Sequence, residues 1–79
     1  MKELAKYLGK VIKLNEPPQA SVVTLTEVST GKTIETSAIT EELISHSLTT
    51  GDDFEIVIQQ SVVGSIDGII RKIEPDINI

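Results

Sequence analysis

Residues 53–60, DFEIVIQQ, put Phe54, Ile56 and Ile58 at every second position, with Asp53, Glu55, Val57 and Gln59 at the alternate ones. In an extended chain successive side chains point to opposite faces, so this period of two reads as a half-buried β-strand and not as a helix. The same habit recurs in short pieces. Lys10–Leu14 (KVIKL) is β-branched and extended, and it ends at Asn15-Glu16-Pro17-Pro18, whose consecutive prolines lack the N–H groups a ladder needs. Ser21–Ser29 (SVVTLTEVS) sets Val23 and Leu25 on one face and Val22, Thr24, Thr26 and Val28 on the other. A turn over Ser29-Thr30-Gly31-Lys32 leads into Lys32–Ala38, which carries Ile34, Thr36 and Ala38 on one face.

The period changes once. Thr40 is placed to cap a short helix over Glu41–Ser47, with Glu41 and Glu42 in its first turn and Leu43, Ile44 and Leu48 as its apolar edge. After Thr49-Thr50-Gly51 the strand over 53–60 follows. Val62–Ile66 and Ile69–Ile73 then flank Asp67-Gly68, a dipeptide suited to a tight hairpin turn. At the other end, residues 1–8 read as a turn or short helix with Leu4 and Leu8 at i, i+4, too short to stand alone. Three strands, a helix and then further strands predict an all-β fold: a small five- to six-stranded OB-like barrel with one short helix between strands 3 and 4. An SH3-like barrel is the alternative. Closing a barrel removes sheet edges, which suits short strands with apolar residues on both faces. The whole chain, 1–79, is expected to be one domain, with the barrel over 9–74 and a tail over 75–79.

Size makes the core a concern. The chain has 79 residues, no Cys, and only Tyr7 and Phe54 as aromatics, so Val, Ile and Leu must supply the interior without disulfide support. A core of this size is rarely worth more than about 3–5 kcal/mol, and self-association is expected to add to it. The missing disulfides favour a reducing compartment, and a cytoplasmic protein is expected. No apolar run is long enough to span a bilayer, and MKELAKYLGK interrupts its apolar residues with charges, unlike a signal peptide.

The net charge is −5, the wrong sign for attraction to nucleic acid or anionic lipid, so neither is an expected partner. Single-strand binders also use aromatic platforms, and here there are two aromatic residues in all. Charge is uneven along the chain. Glu35, Glu41, Glu42, Asp52, Asp53 and Glu55 lie in a stretch without Lys or Arg and define a candidate acidic interaction surface. Lys2, Lys6, Lys10, Lys13, Arg71 and Lys72 would form a basic patch if the two ends of the chain converge. Asp52-Asp53 with Glu55 lacks the spaced oxygen ligands of a calcium loop and reads as the polar entry to a strand. His46 is the single imidazole, and there is no Cys, no nucleophile elbow and no phosphate-binding glycine loop. No catalytic, metal or cofactor site is expected, and the chain reads as a non-enzyme.

Several residues follow a known frame. Gly9-Lys10-Val11, Ala20-Ser21-Val22-Val23-Thr24-Leu25, Gly31, Ile39-Thr40, Leu48-Thr49-Thr50-Gly51-Asp52 and Ile58-Gln59-Gln60-Ser61 occur in the order found in Mop/TOBE domains, and over 9–63 the chain resembles that family. The resemblance implies an OB-like barrel and raises binding of a small oxyanion such as molybdate. The family's anion-binding run before the first strand is not matched, because Leu4 and Ala5 stand where its Arg and Asn would be. Gln59 replaces its strand lysine, and Ser61 alone keeps a hydroxyl. The function expected from all of this is a small, non-catalytic interaction or assembly module, self-associating or docked on a larger protein, with oxyanion binding and weak nucleic-acid binding as alternatives.

Overall fold

The computed structural model describes residues 2–75. It contains β1 (Lys2–Lys13), β2 (Ser21–Glu27), β3 (Thr33–Ala38), α1 (Thr40–Ser45), β4 (Asp53–Gln60) and β5 (Ile66–Ile73). All five strands join one antiparallel sheet in the order β3-β2-β1-β4-β5. The fold is therefore mostly β with one short helix between the third and fourth strands. No strand pairing joins β3 to β5 among the described residues, so the sheet curls without closing.

Three expectations are corrected. The first is the start of the chain: residues 2–8 form no helix but are the first half of a long β1. Lys2–Lys10 pair with Gln60–Asp53 of β4, while Tyr7–Lys13 pair with β2, so β1 is shared between two neighbours in a stagger. A helix of one or two turns has a costly nucleus, whereas the strand satisfies its backbone groups on β4. The second is the hairpin. Asp67-Gly68 lies inside β5, and the turn is at 61–65, where Gly64 takes φ +90°. Ser61 N–H donates to Ser65 O, and Ser65 N–H to Ser61 Oγ, which closes that turn. The third is the helix cap. Thr40 does not cap α1: the N-cap position is Ile39, without a side-chain bond, and Thr40 is buried in the first turn. Of the tail expected over 75–79, the part beyond Pro75 lies outside the described residues, as does Met1.

Faces follow the pairing. Val11, Val23, Leu43, Leu48 and Phe54 form the buried cluster, with Leu14, Leu25, Ala38, Ile56 and Ile70 packed against it. Phe54 lies opposite Gly9 across β1 and β4, and its ring occupies the space where a Cβ on Gly9 would stand. The end of α1 returns to the sheet through Gly51, at φ +92°. Gly51 N–H donates to Val11 O (2.7 Å), and Val11 N–H to Asp52 O (2.9 Å). A second joint ties the proline loop to the helix. Thr40 Oγ1 donates to Gln19 O, so the 2.6 Å bond between Ser21 Oγ and Thr40 Oγ1 takes its proton from Ser21. Ser21 Oγ in turn accepts from Asn15 N–H. A hydroxyl has one proton to give, and a carbonyl has none, which fixes the direction of the relay.

Candidate interaction surface

The curled sheet brings its two edge strands to one cleft of about 270 Å³. Thr36 and Ala38 of β3 form one wall, and Gly68 and Ile70 of β5 the other. The floor is the apolar face of the sheet, Val23, Leu25, Phe54 and Ile56, and Leu43 of α1 closes one end. An edge strand carries unpaired N–H and C=O groups, and an apolar floor between two such edges can accept another strand or cover.

Apolar residues are also left on the outside. Ile34 on β3 is 59% exposed, Ile66 and Ile69 on β5 are 63% and 46% exposed, and Val62 in the 61–65 turn is 92% exposed. Ile34 shares the face of Thr36 and Ala38, as the alternation predicts, but the sheet's curl leaves it beyond the core. Nothing in the periodicity marks where a curled sheet stops covering its own edge.

The charged residues singled out from sequence are interleaved and do not form two opposed patches. Lys10 Nζ lies 3.2 Å from Asp53 Oδ1, and Lys72 Nζ lies 3.6 Å from Asp52 Oδ2. Asp52 Oδ2 also accepts the Thr49 N–H at 3.0 Å, so Asp52 closes the turn into β4. Glu55, on the outer sheet face, is held by Lys6 Nζ at 3.3 Å and by a short bond from Arg71. Burial raises the Glu55 pKa, but hydrogen bonds from Lys6 and Arg71, and their charges, outweigh it and leave the carboxyl below its ordinary range. Thus Lys6, Lys10 and Arg71 meet Asp53 and Glu55 on the outer face of β1, β4 and β5, while Lys72 meets Asp52 in the turn before β4. Glu35 stands apart on β3, Glu41 and Glu42 are on α1, and Lys2 and Lys13 lie at opposite ends of β1. Pairs this exposed contribute little individually; the half-enclosed Glu55 cluster is the exception in geometry. No group of three His, Asp or Glu side chains able to hold a metal ion is found among the described residues. No helix among them is long and apolar enough to cross a membrane.

Fold and surface together define a class: a small antiparallel β protein whose single sheet is open along one flank. Compared with known proteins, the chain matches no family model, and no curated protein or solved structure is significantly similar to it.

Proposed function

We propose that this protein is a non-catalytic assembly module, an OB-like barrel left open between β3 and β5, which completes its sheet by adding a strand from another protein or another copy. One observation carries the reading: two edge strands without partners on their outer sides, among the described residues, flank an apolar cleft. The sheet order supports the OB-like part, because β3-β2-β1-β4-β5 with a helix after β3 places both OB edge strands beside the same opening. Exposed apolar residues support the assembly part: among the described residues, Ile34 on β3 and Ile66 and Ile69 on β5 stand exposed on the two edge strands, and Val62 in the turn before β5.

The test is the mass of the purified protein by light scattering across a dilution series, with affinity capture of partners alongside. The expected result is a mass above that of one chain at micromolar to millimolar concentration, or a stoichiometric partner. A single-chain mass throughout, with no partner recovered, would sink the reading. A thermal-shift screen with molybdate, tungstate, sulfate and phosphate tests the oxyanion alternative, since ligand at about 100 times its Kd adds about 2.7 kcal/mol.

A further inference from the structure

We infer that the partner on the β5 edge is a second copy of this chain, joined by antiparallel β5–β5′ pairing about a two-fold axis at Ile69. The inference rests on the assembly reading above and gives it a register. Strand β5 is IDGIIRKI, Ile66–Ile73, and among the described residues it has a neighbour, β4, on one side only. Gly68 and Ile69 are both exposed, so the backbone at its middle is reachable.

Symmetry and chemistry restrict the register sharply. A two-fold axis makes the contact isologous, with each residue meeting its counterpart's mirror position. In an antiparallel pair, residues directly opposite turn their N–H and C=O groups the same way, and these directions alternate along the strand. The axis must therefore pass through a residue position and not between two. Centred on Asp67, Arg71 or Lys72, it sets a charge against its own copy, which is unfavourable. Centred on Ile70, it sets Asp67 against Ile73 and Arg71 against Ile69; centred on Gly68, it sets Asp67 against Ile69 and leaves Arg71 beyond the paired strand, opposite Ser65. Centred on Ile69, it sets Asp67 opposite Arg71 of the other copy, twice, and Ile69 opposite itself.

The other face fits the same register. The pairing with β4 puts Ile70 beside Ile56 and Gly68 beside Ile58, so both face the apolar cleft. With the axis at Ile69, each Ile70 side chain lies over the other copy's Gly68, where there is no side chain to displace. Ile70 against Gly68 on one face, and acid against base on the other, arise from one alignment, in which Lys72 opposite Ile66 is the one charge set against an apolar side chain. Arg71 already holds Glu55 and is three-quarters exposed, so its guanidinium has donors left for the incoming carboxylate. The resulting sheet is continuous across the two copies, and it covers the exposed Ile69 pair.

Because the chain has no Cys, single substitutions read the register directly. Ile69→Cys places two thiols across the axis with Cα atoms about 4.5–5.5 Å apart, within the range of a disulfide. The equivalent Ile70→Cys thiols are displaced by two residues, with Cα atoms about 8 Å apart, and Ile73→Cys thiols are much farther. The expected result is oxidation of Ile69→Cys to a covalent dimer at least tenfold faster than Ile70→Cys or Ile73→Cys at equal concentration. In the non-covalent dimer, Asp67→Arg should raise the dissociation constant about tenfold or more, because it makes two like-charged cross-strand pairs. Asp67 is exposed, and circular dichroism of that variant checks that it folds. If the protein self-associates but cross-linking does not peak at position 69, or Asp67→Arg leaves the dimer intact, this register is wrong and the assembly reading stands. A protein that is one chain at every concentration and captures no partner overturns both. Higher oligomers growing without limit would point to β3–β5′ joining and also overturn it.

Discussion

Gly9 shows how one residue sets the packing of this small core. It lies directly opposite Phe54, and a Cβ built on it would stand 2.3 Å from the ring's Cζ, closer than real carbons approach. Phe54 is fully buried and is the largest side chain in the core, so the ring has little room to withdraw. Gly9→Ala is therefore expected to cost about 1–3 kcal/mol of stability, measured by chemical denaturation. Combining it with Phe54→Leu should cost less than the two changes summed, since the smaller side chain relieves the overlap. A tolerated Gly9→Ala would mean that the ring is not seated there. Glu55 carries the pH dependence. Its folded pKa is depressed, so its contribution is complete above the ordinary carboxylate range and is lost as pH falls through the folded value. Glu55→Gln should lower stability at neutral pH and make the remaining stability less sensitive to acid. Thermal melts from pH 7 to pH 3 check this, and an unchanged acid slope would contradict it.

At the scale of elements, the two hairpin glycines separate what the sequence could show from what it could not. Asp67-Gly68 has the composition of a tight turn, yet it is strand, because the chain had a better corner at Gly64. With the turn at 61–65, Ile70 pairs with Ile56 and joins the apolar face; a tight turn at Asp67-Gly68 would fold Ile69–Ile73 onto residues 62–66 instead and leave β4 without a neighbour on that side. The pairing of whole strands outweighed a local preference. Gly64→Ala is thus expected to cost about 1–2 kcal/mol, since its φ of +90° strains any side chain. Gly68→Ala should stay within about 1 kcal/mol of wild type, because its Cβ meets only Ile58 at 3.4 Å. Denaturation midpoints of the two variants decide the matter, and the reverse order would restore the turn to Asp67-Gly68. Where one strand's own alternation was strong, as over 53–60, the bounds were legible to the residue. Residues 2–8 were not, because Leu4 and Leu8 share a face in either conformation, and only β4 makes the strand worth forming. Thr40 misled for a related reason: a threonine before two glutamates suits a cap, but its hydroxyl is drawn into the Ser21 relay. The charged candidates were visible as residues, though their mutual pairing depends on register, which no linear pattern reports.

At the scale of the molecule, the five buried apolar side chains found among the described residues sit beneath a sheet whose edge strands leave Ile34, Ile66 and Ile69 exposed. Such a chain gains little from closing on itself, and covering its open flank should add directly to its stability. For a dimer that unfolds to two separate chains, mass action makes stability depend on concentration. Each tenfold increase in protein should raise the apparent unfolding free energy by about 1.4 kcal/mol per dimer. Melting temperature is therefore expected to climb with concentration above the dissociation constant of the dimer and to level off below it. Asp67→Arg should both flatten that climb and lower the curve at its concentrated end, where the wild type is fully paired. At the dilute end, where both are single chains, the two proteins should melt together, because Asp67 is an exposed residue on an edge strand. Coincidence at low concentration and divergence at high concentration separates a lost interface from a damaged fold. A melting temperature independent of concentration in the wild type would show that the open flank is stable without a second copy.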